Sequence, residues 1–254
     1  MTGGWLAFWD RPHSIYVNAR HKDVHYRLIA AEIAALVPSP QARVLDYGCG
    51  EARHADLIAA AGAELLLCDG APSVRAGLAA RFAGDGKIRV LAPDAVALLP
   101  QNSLDLIVLH SVAQYLSTAE LQTVLATFRR LMAPGGVLLV SDIIPPQLSA
   151  ASDVAALLRF AASNGFLLAA LGGLTRTLFS DYRRLRARYG LTHYAEADML
   201  HLLAAAGFTA QRAAKNIGHN QARMAFFARP PLPKPDLDPA SGTLSRQSGH
   251  DRAD

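Results

Sequence analysis

The chain has 254 residues, 51% of them apolar and 18% charged, with a formal net charge of +4. That supplies apolar material for one large core or two small ones and excludes a polyelectrolyte or wholly disordered chain. Two cysteines, Cys49 and Cys68, make neither a disulfide framework nor a metal-ligand spacing, so reduced thiols and a cytoplasmic location are expected.

No basic segment followed by an apolar run opens the chain, so no secretory signal is expected. Residues 1–24 read as irregular, with Pro12 and the aromatics Trp5, Phe8, Trp9 and Tyr16. From about Asp23, the positions Val24, Leu28, Ile29, Ile33 and Leu36 recur at helical spacing until Pro38 and Pro40 end the pattern. This lead-in, residues 1–40, also carries His13, His21, His25, Tyr26, Arg20 and Arg27. It is either a surface segment covering a sheet edge or a flap over a ligand, with an arginine such as Arg27 pairing a ligand carboxylate.

From Ala42 strand and helix alternate. Strand Val44–Tyr47 leads to a helix near 52–61 with Gly62 as its C-cap, then strand Glu64–Asp69 and a helix capped by Ser73. Strand Ile88–Leu91 precedes Pro93-Asp94-Ala95, and strand Leu104–Leu109 precedes His110-Ser111. Ser117 and Glu120 form a capping box for a helix with Leu121, Val124, Leu125, Phe128 and Leu131 on one face. Pro134-Gly135-Gly136 turns into strand Val137–Ser141 and Asp142. Continuous apolar strands predict a parallel sheet covered on both faces, with polar residues gathered at the carboxyl rim.

After Pro145-Pro146 the alternation stops. An apolar helix near Val154–Leu171 and an arginine-rich one near Phe179–Tyr189 are expected, then a helix at Glu196–Ala206 and an antiparallel closing pair, Phe208–Lys215 and Ala222–Ala228. The most apolar stretch, Phe160–Thr175, holds Ser163, Asn164 and three glycines, and is shorter than the roughly 18 residues of a membrane span. It is expected to be buried or interfacial, not spanning. Five prolines between 230 and 239 mark a disordered tail over 229–254.

The chemistry concentrates at Asp46-Tyr47-Gly48-Cys49-Gly50, where a strand turns sharply through two glycines, and at Asp69, nineteen residues past Gly50. A carboxylate at that distance is where such folds grip ribose hydroxyls, so an adenosine-containing ligand is expected. A nicotinamide dinucleotide favours a third glycine for its pyrophosphate, but that position is Arg53.

These landmarks together resemble the class I S-adenosylmethionine-dependent methyltransferases, strongly over 41–142 and on to about 228. Val44–Gly50 is similar to the family's first motif, Asp69 to its ribose-binding acid and Pro93-Asp94-Ala95 to its acidic position after strand three. Leu99–Ile107 and Leu131–Leu139 are similar to its approaches to strands four and five. The subgroup looks like the small-molecule enzymes that include ubiquinone and menaquinone biosynthesis methyltransferases. Tyr47 and Arg53 depart from the smaller residues common in that motif.

The resemblance implies a Rossmann-like, doubly wound, mostly parallel seven-stranded α/β sheet with an antiparallel closing strand and a helical insertion after strand five. The domain would span 41–228, with 147–190 as a helical lid over the substrate or as ordinary helix packing. S-adenosylmethionine would be the cofactor. Asp46, Tyr47, Gly48 and Gly50 would sit at its methionine end, Asp69 at the ribose, Gly70, Asp94 and Ala95 at the adenine, with Arg27 and His110 as further contacts. His110 would lie near the transferring methyl, or else be a histidine bonded to backbone at a strand end. His110, His25 and His193 are candidate bases, with Tyr115 as an orienting group. His54 is expected on the exposed face of the first sheet helix.

The expected partner is a small apolar or aromatic acceptor, including a lipid-like one. Nucleic acid is disfavoured because no basic stripe interleaved with aromatics occurs. The alternatives are a nicotinamide-dependent oxidoreductase and a catalytically silent S-adenosylmethionine-binding module.

Overall fold

The computed structural model describes residues 3–11, 15–177 and 190–231. Seven strands form one sheet: β1 (Arg43–Tyr47), β2 (Glu64–Cys68), β3 (Ile88–Leu91), β4 (Leu104–His110), β5 (Met132–Ile143), β6 (Thr209–Arg212) and β7 (Met224–Arg229). Their order is β3-β2-β1-β4-β5-β7-β6. The first five run parallel, and β7 pairs antiparallel with both β5 and β6. The chain works outward from β1 to β3 and then returns to place β4 on the other side of β1. That reversal opens a crevice at the carboxyl ends of β1 and β4.

Helices α1 (Gly3–Trp9) and α2 (Ala19–Ala34) precede the sheet. Within it come α3 (Ala55–Ala61), α4 (Pro72–Arg81), α5 (Pro93–Ala97), a 3-10 turn (Ala113–Tyr115) and α6 (Thr118–Leu131). Then follow α7 (Ala150–Ser163), α8 (Leu167–Thr177) and α9 (Glu196–Ala205). The two-residue period of the strands sorts the core into two layers. Val44, Leu65, Leu67, Leu106 and Val108 face Ile29 and Ile33 of α2, Ile58 of α3 and Leu78 of α4. Leu45, Leu66, Ile107 and Leu109 face Leu125 and Phe128 of α6 and Leu202 and Leu203 of α9. Asp105, polar within β4, accepts the backbone N–H of Arg43 at 2.8 Å.

Several local expectations are corrected. The lead-in is not irregular: α1 is helical, with Trp5 buried and packed 4.7 Å from the Tyr115 ring. Helix α2 begins at Ala19, capped by the Asn18 side chain, which accepts from the His21 N–H at 2.8 Å. Gly62 is the C-cap of α3 as expected, but in an extended conformation, φ −124°, and a Cβ there would stand 2.9 Å from the Ala42 carbonyl, so close approach and not a left-handed φ requires glycine. Ser73 does not cap α4, which starts at Pro72; its N–H donates to the Asp10 carboxylate at 2.7 Å and so ties α1 to the sheet.

The Pro134-Gly135-Gly136 turn is absorbed into β5 as a bulge opposite Leu104–Leu106. The expected apolar helix at 154–171 is two helices, broken at Asn164-Gly165, where Gly165 takes φ +72°. The closing strands are shorter than expected. The arginine-rich segment Phe179–Tyr189 and the tail beyond 231 lie outside the described residues. Among the described residues no helix is long and apolar enough to cross a membrane.

Candidate active site

The crevice is built on a clamped turn. Gly48 and Gly50 both take left-handed backbone conformations, φ +85° and +56°. A Cβ on Gly48 would stand 2.2 Å from Val112 Cγ2, and one on Gly50 2.8 Å from the Tyr26 hydroxyl. The glycines therefore let the segment after β4 and helix α2 close on the turn. The N–H groups of Gly48 and Cys49 donate to the Cys68 carbonyl at 2.7 and 3.0 Å. Asp69 completes the clamp: Oδ2 accepts from the Gly50 N–H at 3.0 Å and Oδ1 from the Ala71 N–H at 2.8 Å. Tyr47 packs 5.2 Å from Phe128, which explains a large residue at that position. Cys49 and Cys68 are buried and free, as packing residues would be.

Over this turn lies a cavity of about 1810 Å³. Pockets for one drug-sized ligand occupy about 300–1,000 Å³, so two ligands fit side by side. One end is lined by Asp46, Tyr47, Gly48, Gly50, Asp69 and Gly70, roofed by Leu6 and Trp9 of α1. The other is lined by His25, His110, Ser111, Asp142 and His219, with Val154 and Leu157 of α7 above.

The two ends differ electrostatically. Asp46 is 8% exposed and has no hydrogen-bond or ion-pair partner among the described residues. Burial, and then the charge of Asp69, pushes its pKa up to about 7. Burial also raises the pKa of Asp69, against the hydrogen bonds from Ala71 and Gly50. The nearby Arg75 guanidinium donates instead to the carbonyls of Asp69 and Gly70, at 2.9 and 2.7 Å. This end is a carboxylate pair short of positive charge. It fits S-adenosylmethionine, whose ammonium and sulfonium supply the missing charge and whose ribose supplies donors. It is ill-matched to a pyrophosphate, which would meet both carboxylates.

At the far end, His110 Nδ1 lies 2.9 Å from Ser141 Oγ. Ser111 Oγ donates to Asp142 Oδ2 at 2.7 Å, and Arg223 bridges Asp142 and Asp153 at 2.7 and 3.4 Å. Burial works to raise the Asp142 pKa, but Arg223, His110 and Ser111 together hold it below the usual value. Ser111 and Asp142 both have positive φ, +58° and +63°, a strain of order 1 kcal/mol each that clusters at functional positions. Burial lowers the pKa of His110 and His219, takes His21 to about 4 and His25 to about 3, so the imidazoles are uncharged near neutral pH.

Of the candidate residues, the cavity wall brings together Asp46, Tyr47, Gly48, Gly50, Asp69, Gly70, His25, His110 and Tyr115. Others stand apart. Arg27 points out, 3.8 Å from Asp23, and is not part of the wall. Asp94 is exposed and accepts from its neighbour's N–H at Ala95; neither lines the cavity, although Pro93 does. His193 is exposed beyond the wall. His54 is not on an exposed helix face: it precedes α3, lines the cavity and bonds Asp23 at 2.9 Å. Sequence reasoning missed Gln114, buried on the wall with Oε1 unpartnered, and His219; neither belongs to a motif.

Residues 44–136 match a family model described as a methyltransferase domain. No curated protein matches the chain by sequence. Among solved structures, it is similar to the N-methyltransferase NodS of Bradyrhizobium japonicum, in complex with S-adenosylhomocysteine: 17% identity, TM-score 0.52, covering 84% of this chain and 89% of that one. It is also similar to magnesium protoporphyrin IX methyltransferase from Synechocystis, with bound S-adenosylhomocysteine: 19% identity, TM-score 0.54, covering 89% and 93%. A third is an S-adenosylmethionine-dependent methyltransferase of Leishmania major: 15% identity, TM-score 0.57, covering 89% and 81%. At these identities the likeness is one of fold. The chain carries a methyltransferase domain, at residues 44–136, within the class I S-adenosylmethionine-dependent methyltransferase fold.

Proposed function

We propose that the protein transfers a methyl group from S-adenosylmethionine to a small apolar or aromatic organic acceptor in the cytoplasm. The observation that carries this reading is the single cavity running from the Asp46–Asp69 pair to the imidazoles beneath α7. Bound there, the cofactor supplies a methyl group on an already activated sulfonium. Asp46 would hold its amino group. Asp69 would accept from the ribose hydroxyls, since each carboxylate oxygen retains a lone pair beyond its backbone bond.

The protein's task is then alignment and exclusion of water. Helix α1 and α7 roof the two ends, and Val154 and Leu157 give the acceptor side an apolar ceiling. Where the acceptor must lose a proton, His110 is an uncharged base: in the tautomer whose Nδ1–H donates to Ser141 Oγ, Nε2 is the nitrogen that takes it. His25 lines the same side, and Tyr115 stands between Trp5, Trp9 and the rim.

The test is transfer of labelled methyl from S-adenosylmethionine to a panel of phenols, aromatic amines and quinols, with transfer RNA and protein alongside. Label in a small aromatic acceptor is expected. Label only in the macromolecules would overturn the acceptor class, and no transfer to any of them by protein that binds the cofactor would favour a silent binding module.

A further inference from the structure

The loop between β6 and β7 is fixed far more heavily than a connection requires. The Gly218 N–H donates to Glu32 Oε2 of α2 at 2.6 Å, and Asn220 Nδ2 to Asp153 Oδ1 of α7 at 2.7 Å. Asn216 accepts from the Asp142 N–H at the end of β5, at 2.9 Å, and donates to the Asn220 carbonyl at 3.0 Å. Gln221 Nε2 donates back to the Gly218 carbonyl at 2.7 Å. Three distant elements thus hold one short turn, and the residue at its centre, His219, makes none of these bonds. Its ring lines the cavity, and neither ring nitrogen has a hydrogen-bond partner among the described residues.

The ring's plane is set as well. It stacks on Phe160 of α7, centroids 4.6 Å apart at 16°, and meets His25 at 6.0 Å and 70°. Tyr16 lies 5.4 Å from His25 on the same wall. A rigidly placed imidazole set among aromatic faces, its nitrogens not engaged by the protein, offers a cavity ligand a hydrogen-bonding group at a fixed position.

The surrounding charges narrow the ligand. Asp142 and Asp153 are the carboxylates facing His219, and Arg223 is already shared between them. An anionic substituent would meet those carboxylates. A neutral O–H donor suits an uncharged imidazole.

We propose that His219 is the acceptor-recognition residue of this site, and that the acceptor is a planar aromatic bearing a hydroxyl, which donates to a His219 ring nitrogen while the ring lies against Tyr16 and His25. This deepens the methyltransferase reading and rests on it.

The experiment uses the full chain loaded with S-adenosylhomocysteine, whose own affinity is measured first. Binding of 4-nitrophenol is compared with that of nitrobenzene by calorimetry, at a pH where the phenol is protonated. Wild type is expected to favour 4-nitrophenol at least tenfold. His219→Phe keeps a ring on Phe160 but no nitrogen; it should cut the preference to within about twofold and leave the affinities for nitrobenzene and S-adenosylhomocysteine unchanged. If that variant does not fold, His219→Leu carries the same expectation for the preference.

A preference absent from wild type, one that survives the substitution, or failure of both aromatics to bind the loaded protein would overturn the proposal while leaving the cofactor reading intact. Failure of S-adenosylhomocysteine to bind folded wild-type protein would overturn both.

Discussion

Asp69 Oδ2 accepts the backbone N–H of Gly50 at 3.0 Å, so the acid at the end of β2 is both part of the cavity wall and a strut of the glycine turn. Removing the carboxylate leaves the N–H groups of Gly50 and Ala71 without partners. Asp69→Ala should therefore destabilise the ligand-free protein by about 1–3 kcal/mol. Thermal unfolding checks this, at about 2–4 °C per kcal/mol for a chain of this size. An unchanged midpoint would show that the turn does not depend on Asp69.

Asp46 makes stability depend on pH in a direction opposite to ordinary acid denaturation. Its folded pKa, about 7, lies above its usual 3.8, so the folded state keeps a proton that the unfolded chain gives up. The associated stability is complete below about 3.8 and is lost as pH rises through 7. Asp46→Asn should raise the melting point of the ligand-free protein at pH 8 and weaken S-adenosylhomocysteine binding at least tenfold. Calorimetry at pH 7 in buffers of differing ionisation enthalpy should show proton release on binding that the variant lacks.

His21 works the other way. It stacks on Phe166 at 4.9 Å, joining α2 to the segment between α7 and α8, and burial lowers its pKa to about 4. Its contribution is present above the unfolded value near 6.5 and is lost as pH falls through 4. His21→Phe, which keeps the stack, should flatten the fall in melting temperature between pH 6.5 and 4. An identical acid profile would show that this histidine is not what titrates.

Ser117, which does not itself line the cavity, offers a change in stability. Its hydroxyl accepts from the Glu120 N–H at 3.3 Å, and the Glu120 carboxylate accepts from the Ser117 N–H at 2.8 Å. Ser117→Ala should cost about 1 kcal/mol by chemical denaturation, with S-adenosylhomocysteine affinity unchanged.

That capping box shows what was legible in the sequence: features written in neighbouring residues. The Asp46–Gly50 turn and Asp69 are similarly local, each at the end of an apolar run whose partners are set by strand order. Arg27 stands off the cavity wall because of the rotation of α2. Lys22, Tyr26, Ile29 and Ile33 form the stripe facing the turn and sheet, and Arg27 lies off it. That signal was available in the spacing. The signal for α1 was not: its helix is held by Trp5 on Tyr115 and by Asp10 on Ser73, contacts that span much of the chain. The same holds for His219, placed by Glu32 and Asp153, which lie 186 and 67 residues from their partners in that loop.

The most direct test of the account is calorimetric titration of the purified protein with S-adenosylhomocysteine and with NADH, repeated with Asp69→Ala. The account predicts micromolar binding of S-adenosylhomocysteine alone, lost in the variant. Binding of NADH, or no binding of S-adenosylhomocysteine to folded protein, would contradict it.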